Sequence, residues 1–325
     1  MPEKKNTMTL TAFRHAGGVL LLSLLLQSCA TNQLRSFPAV QSYQHRDLQL
    51  PASDETTAPA IRVMTLNIAH GRGDSFHQLL QGSDTTLANL TTIASLFRAT
   101  APDVVALQEA DGPSFWSGNF DHVEYLANRA AFRRSVHGAH VDGIGLSYGT
   151  ALLANVELTD AHAVTFDPSL SAVPKGFVIS TIRWPGEPCV DVDVVSIHLD
   201  FASQSVRRKQ ATELIETVRR RDRPVIIMGD LNSEWQGQDS TVQYLSQELG
   251  LSAYAPERRD LNTFPAFGER LDWILVSPDL RFRSYQVLPD IVSDHHGVIA
   301  EVVLNSKTRL SANPGYCGAI AKAAR

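Results

Sequence analysis

Asp230 and Asn232 are the pair in this chain whose types and spacing most directly offer chemistry. They end the segment Val225-Ile226-Ile227-Met228-Gly229-Asp230-Leu231-Asn232, where an apolar, partly β-branched run stops at a glycine. Side chains at i and i+2 of an extended chain share a face, so both are predicted to reach into one pocket at a strand's C-terminal end. A carboxylate that can take a proton from water, beside an amide that can hold an oxyanion, suits phosphoester hydrolysis. The same tetrapeptide also reads as an ordinary Asp/Asn turn. What stands elsewhere decides between the two.

The elements that must carry such a site alternate irregularly along the chain. Strands are predicted at Ile61–Asn67, Asp103–Glu109, Gly149–Ala154, Phe177–Arg183, Val190–Leu199, Leu271–Val276, Phe282–Leu288 and Val298–Leu304, besides the Val225 strand. Helical spacing marks Thr85–Ala99, Phe120–Ala131, Ser205–Arg221 and Thr241–Leu249. Many strands, several in direct succession, argue against a simple alternating doubly wound sheet. Two packed sheets with helices outside fit better. Polar residues recur at the strand ends: Asn67, Gln108-Glu109, His198, Asp230 with Asn232, Asp272, and Ser293-Asp294-His295-His296.

Taken in order, these segments resemble the endonuclease/exonuclease/phosphatase superfamily across residues 61–304. The segments Asn67-Ile68-Ala69-His70-Gly71, Tyr148-Gly149-Thr150 and Thr263-Phe264-Pro265 resemble its bacterial metal-dependent hydrolase branch, with Ala69 and Gly297 departing from that branch's pattern. The resemblance implies an α/β fold, a four-layer sandwich of two packed mixed β-sheets flanked by helices. It implies a metal-dependent hydrolysis of a phosphodiester or phosphomonoester by water attack at phosphorus. Glu109 then matches the metal-binding glutamate, Asp294 an auxiliary metal-side carboxylate, and Asn67 a residue orienting phosphate or the metal side. Asp230 matches the group that aligns or deprotonates water, and Asn232 a phosphate-oxygen donor. Asp272 and His295 match a dyad in which the carboxylate orients the imidazole and raises its pKa. His198 matches a contact to phosphate or leaving group. His70 and His296 carry no matched role and read as supports behind the site's residues or as structural. Mg²⁺ is the implied ion, with Mn²⁺ or Ca²⁺ as substitutes; no H-E-x-x-H or Cys/His cluster supports zinc.

The ends of the chain read as an address. Lys4, Lys5 and Arg14 precede an apolar run from Val19 to Leu26, far short of the roughly 20 residues of a spanning helix. Leu26-Gln27-Ser28-Cys29 resembles a bacterial lipobox, which implies a signal peptide over residues 1–28 and a lipidated Cys29. Residues 29–59 read as a tether, 60–305 as the catalytic domain and 306–325 as a tail. An exported lipoprotein in the outer membrane facing the periplasm is the expected location, and a monomer the expected state. Without residues 1–28 the chain keeps 26 basic and 33 acidic groups, net −7, a poor match for stable duplex DNA binding. Phospholipid headgroups, inositol phosphates and nucleic acid in other forms stay open as substrates. Phe115, Trp116 and Phe120 beside Glu109 read as a loop packed on the domain, a pocket wall or an interfacial anchor. Cys189 and Cys317 permit one further disulfide without requiring it. The competing class is a catalytically inactive, lipid-anchored scaffold, which should have lost a site residue; none of the matched positions has.

Overall fold

The computed structural model describes residues 40–45, 59–75, 82–168, 173–187 and 189–305, all within the unit Pro38–Arg325. The signal, lipobox and tail readings lie outside the described residues, as does most of the tether. The tether stretch nevertheless contributes an edge strand, β1 (Val40–Gln44).

The other strands are β2 (Ala60–Asn67), β3 (Val104–Asp111), β4 (Arg134–Gly143), β5 (Leu146–Ala154), β6 (Thr159–Thr165), β7 (Gly176–Arg183), β8 (Asp191–His198), β9 (Val225–Asp230), β10 (Ser252–Ala253), β11 (Asp272–Val276), β12 (Leu280–Val287) and β13 (Val298–Leu304). Among the described residues they form a seven-stranded sheet ordered β1-β4-β5-β3-β2-β13-β12 and a six-stranded sheet ordered β10-β11-β9-β8-β7-β6. Each sheet is mixed, with one parallel pair, β2/β3 in the first and β8/β9 in the second. Helices α1 (Ser83–Thr100) and α2 (His122–Ala130) cover the first sheet; α3 (Gln204–Arg221) and α4 (Thr241–Leu249) cover the second. Two packed mixed sheets flanked by helices are the architecture expected from the sequence.

Strand parity sorts the core. Ile61 and Val63 of β2 and Ile226 and Met228 of β9 enter the layer between the sheets. Their neighbours Met64 and Leu66 pack under α1 and α2, while Val225 and Ile227 pack under α3 and α4. The strands read as near-continuous apolar runs because both faces are buried. Extended by the same parity, Asn67 and Asp230 emerge where the two sheets meet, at one end of the inter-sheet core. Beneath them a buried polar bridge ties the sheets together. Gln108 donates to Ser196 Oγ at 3.0 Å, and Ser196 donates to the Leu107 carbonyl at 2.7 Å.

β4 and β6 were not anticipated. Arg134–Gly143 holds two histidines and two glycines that interrupt its apolar pattern, and β6 is a sheet-edge strand whose one buried residue is Ala163. Tertiary pairing rather than propensity makes both strands. Cys189 is disulfide-bonded.

Candidate active site

Four loops and strand ends converge on a cavity of about 400 Å³ between the sheets. Asn67, Glu109, Lys175, His198, Asp230, Asn232, Asp294 and His295 all line it. Asp272 lies directly behind, fully buried.

Asp230 is the hub. Its Oδ2 accepts from Asn67 Nδ2 at 3.1 Å and lies 3.3 Å from His198 Nε2 and 3.8 Å from His295 Nε2. Burial alone would raise its pKa, but His295 and His198 outweigh burial and bring it down to about 2. Gly229 before it is obligatory, since a Cβ there would sit 1.9 Å from the Ile197 carbonyl of β8. The shared pocket of Asp230 and Asn232 arises differently from the strand alternation expected. β9 ends at Asp230, and Asn232 is left-handed with φ 47°. An Asx turn swings it back, with the Asn232 amide on Asp230 Oδ1 at 3.0 Å and Asn232 Nδ2 on the Leu199 carbonyl at 3.0 Å. The tetrapeptide thus forms the Asx turn and still brings both side chains to one cavity.

His295 arrives from the loop before β13 and meets Asp272 at the start of β11, Nδ1 to Oδ2 2.8 Å. Burial would depress the imidazole, but Asp272 and Asp230 overcome it and raise it to about 10. The two carboxylates favour the protonated imidazole, and the Phe264 ring packs against it at 4.8 Å, tilted by 36°. The oxygen and nitrogen atoms of Asp230, Asp272 and His295 lie close enough to suggest a metal cage. Within the trio His295 Nδ1 is hydrogen-bonded to Asp272 and its Nε2 lies 3.8 Å from Asp230, so the three side chains also form an ion-paired cluster.

Glu109 stands on a bulge. The β3/β5 register shifts between Leu107 and Ala110, and Glu109 itself is left-handed with φ 51°. Parity would aim it outward with Leu107; the bulge re-aims it into the cavity. Its oxygens face His70 Nε2 at 3.3 Å and Lys175 Nζ at 3.5 Å. Burial is outweighed by His70, Lys175 and His198, which hold the carboxyl well below its usual range. Across the cavity Asp294 pairs with Arg72. Glu109 and Asp294 offer partly accessible carboxyl oxygens with no tight hydrogen bond on Glu109, a donor set suited to a hard divalent cation. Asn67 fits that set less well. Its oxygen already accepts from the Ala69 amide at 3.0 Å and its nitrogen holds Asp230.

The pKa of His198 is lowered by burial and by Lys175, whose Nζ lies 2.9 Å from Nε2. Lys175 was missed: it follows Pro174 just before β7, in a context carrying no motif. His70, read as a support behind the site or as structural, joins Asp111 Oδ1 at 2.6 Å to Glu109. Burial depresses its pKa, but Asp111 and Glu109 reverse this and raise it. The i+2 carboxylate Asp111 was the available signal. Trp116, from the aromatic loop, donates to Asp111 at 2.8 Å and packs 5.0 Å from the His70 ring, behind Glu109. His296 points no polar atom at the cavity's chemistry; its amide donates to the Thr263 carbonyl at 2.7 Å.

A two-sheet α/β sandwich carrying carboxylates and an imidazole in the cleft between its sheets is the fold of phosphoester hydrolases. Residues 64–295 match the model of the Endonuclease/Exonuclease/phosphatase family, and the chain belongs to that family. The structure is similar to an endonuclease/exonuclease/phosphatase from Beutenbergia cavernae, with 21% identity over 76% of this chain and 72% of that one and a TM-score of 0.60. It is similar to a mannosyl-6-phosphatase of Bacteroides thetaiotaomicron, at 17% identity over 75% and 100% of the chains and a TM-score of 0.56. It is also similar to the human Nocturnin catalytic domain, solved with bound sulfate, at 19% identity over 82% and 98% and a TM-score of 0.57. No curated protein matches the sequence.

Proposed function

We propose that this chain is a divalent-metal-dependent phosphoesterase that cleaves a P–O bond by attack of water. The observation that carries the reading is Asp230, ionised and clasped by Asn67, His198 and His295 across one cavity from Glu109.

Glu109 and Asp294 are the residues that would hold the ion, Mg²⁺ by the hardness of their oxygens. When bound, it supplies Lewis-acid polarisation of a phosphoryl oxygen. Asp230 accepts a hydrogen bond from the attacking water and aims its oxygen at phosphorus. Its low pKa makes it an orienting acceptor first; it takes the proton only as the new O–P bond forms and the water grows acidic. His295, held by Asp272, donates from Nε2 to a non-bridging oxygen as charge grows there. Lys175 adds a second positive group on the same side. His198 stands at the leaving oxygen, which departs with the bonding pair as the ester bond breaks.

Mannosyl-6-phosphate cleavage in one structural relative and sulfate bound in another are in keeping with a small phosphoester in a cavity of this size. The scaffold reading is weaker, because every matched position retains a competent side chain. Export with a lipid on Cys29, and a monomeric state, complete the proposal. The test is a panel of phosphodiesters and phosphomonoesters with Mg²⁺ or Mn²⁺ in ¹⁸O-labelled water. Label in the phosphate product supports the reading; no turnover across the panel, or label in the alcohol, refutes it.

A further inference from the structure

Two of the carboxylates that line the catalytic cavity are Glu109, on the bulge of β3, and Asp294, on the loop before β13. One short stretch of chain reaches both. His70 Nε2 lies 3.3 Å from Glu109 Oε2, and Arg72 Nη2 donates to Asp294 Oδ2. His70 belongs to the 3-10 turn Ala69–Gly71 that follows β2, and Arg72 closes that turn with its amide on the Ala69 carbonyl at 3.0 Å. Neither His70 nor Arg72 lines the cavity. Each stands behind a carboxylate that does.

We infer that residues 69–72 are the positioning element of the cation site: His70 orients Glu109, Arg72 orients Asp294, and the turn that carries both fixes the two carboxylates relative to one another. The inference rests on the proposed metal-dependent reading and deepens it, by assigning the affinity for the ion to two residues behind its ligands. The backbone bears this out at both ends of the His70–Glu109 contact. Ala69 and His70 are left-handed, with φ 47° and 54°, and Glu109 is left-handed with φ 51°. That conformation is uncommon outside glycine and costs energy at each position. Strain from two separate stretches of chain thus meets in one contact, and such strain persists only where the surroundings over-determine it.

The surroundings do so here. Asp111 is fully buried, its Oδ1 lies 2.6 Å from His70 Nδ1, and its Oδ2 accepts from Trp116 Nε1 and Ser117 Oγ. Carboxylate oxygens accept, so a ring facing Asp111 with one nitrogen and Glu109 with the other is placed to donate to both. The ring is packed by Trp116 at 5.0 Å and, edge-on, by Tyr148 at 5.1 Å. The turn itself is pinned from outside. Asn89 of α1 donates to the Gly71 carbonyl at 3.0 Å, and a Cβ on Gly71 would sit 2.9 Å from Thr86 Cγ2 and 3.2 Å from His122 Cε1. Arg72 Nη1 also donates to the Ser75 carbonyl at 2.5 Å, which holds the guanidinium toward Asp294. A carboxylate fixed in this way presents its oxygens to an ion without reorganising. Partners behind a metal ligand are worth about 10- to 100-fold in affinity.

The test is calorimetric titration of the full chain with Mg²⁺ and with Mn²⁺, at a temperature well below the thermal midpoint of every variant. His70→Ala and Arg72→Ala should each weaken binding by about 10- to 100-fold. His70→Gln, which keeps a nitrogen donor near the position of Nε2, should recover most of the loss. A contact that only stabilised the fold would lower the thermal midpoint and leave the affinity of the folded protein unchanged, and that result would overturn the proposal. Tighter binding in either alanine variant would overturn it too, because the side chain would then be competing with the ion. Absence of binding by the natural chain would refute the metal-dependent reading and this inference together. Binding by the natural chain with undiminished affinity in the variants would refute the positioning role alone.

Discussion

Asp272 Oδ2 lies 2.8 Å from His295 Nδ1, and this contact joins positions 23 residues apart. Asp272 is fixed by its place at the head of β11, where its amide and that of Leu271 both donate to Thr263 Oγ1 at 3.0 Å. His295 sits on a loop and depends on that carboxylate for its orientation and its charge. The pair should therefore act as one unit.

Replacement of either partner removes the same oriented donor. His295→Ala and Asp272→Asn are each expected to lower kcat by about a hundredfold or more, within the range of acid–base participation. The double variant should lose little beyond the worse single variant. Steady-state kinetics on the three proteins measure this, and a double loss equal to the product of the single losses would separate the two residues.

Glu109 is the expected anchor of the divalent ion. Glu109→Gln should weaken Mg²⁺ binding by at least about tenfold in calorimetry, and EDTA should abolish turnover that Mg²⁺ or Mn²⁺ restores. Full metal affinity in Glu109→Gln would remove this residue from the site.

Lys175 presents its ammonium to the cavity between Glu109 and His198. Lys175→Met should raise KM for a phosphoester by about ten- to a hundredfold, the worth of one charge-assisted hydrogen bond. Lys175→Arg should recover part of it. An unchanged KM in the methionine variant would place the amine outside substrate contact.

His140 predicts acid sensitivity of the fold. Its ring nitrogens lie 2.9 and 3.1 Å from the Thr150 and Thr165 hydroxyls. Burial lowers its pKa from 6.5 to about 3. The unfolded chain therefore binds the proton first, and stability rises with pH. The contribution is intact above pH 6.5 and is lost as pH falls toward 3, at up to about 1.4 kcal/mol per pH unit. Denaturant midpoints between pH 7 and pH 4 should fall less steeply for His140→Gln than for the natural chain. Parallel slopes would contradict the assignment.

Most of the site could be read from the chain because its residues close strands whose apolar runs are unmistakable. Asn67, His198 and Asp230 fall on the inner parity of β2, β8 and β9, and the sequence pattern carries that parity. The routes by which Glu109 and Asn232 enter, and Lys175 itself, escaped because they depend on contacts no local pattern encodes. Glu109 enters the cavity through a bulge, Asn232 through an Asx turn, and Lys175 from the unremarked start of β7. His70 was visible but acquires meaning only beside Asp111 and Trp116. β4 was missed because its apolar residues are interrupted, and β1 because a five-residue edge strand resembles linker sequence.

The most direct test of the account is the Asp230→Asn exchange, which keeps the shape of the hub and removes its charge. With Mg²⁺ present and folding verified by circular dichroism, kcat on the best phosphoester of the panel should fall by at least about a hundredfold. A kcat equal to that of the natural chain would contradict the central claim that Asp230 positions the attacking water.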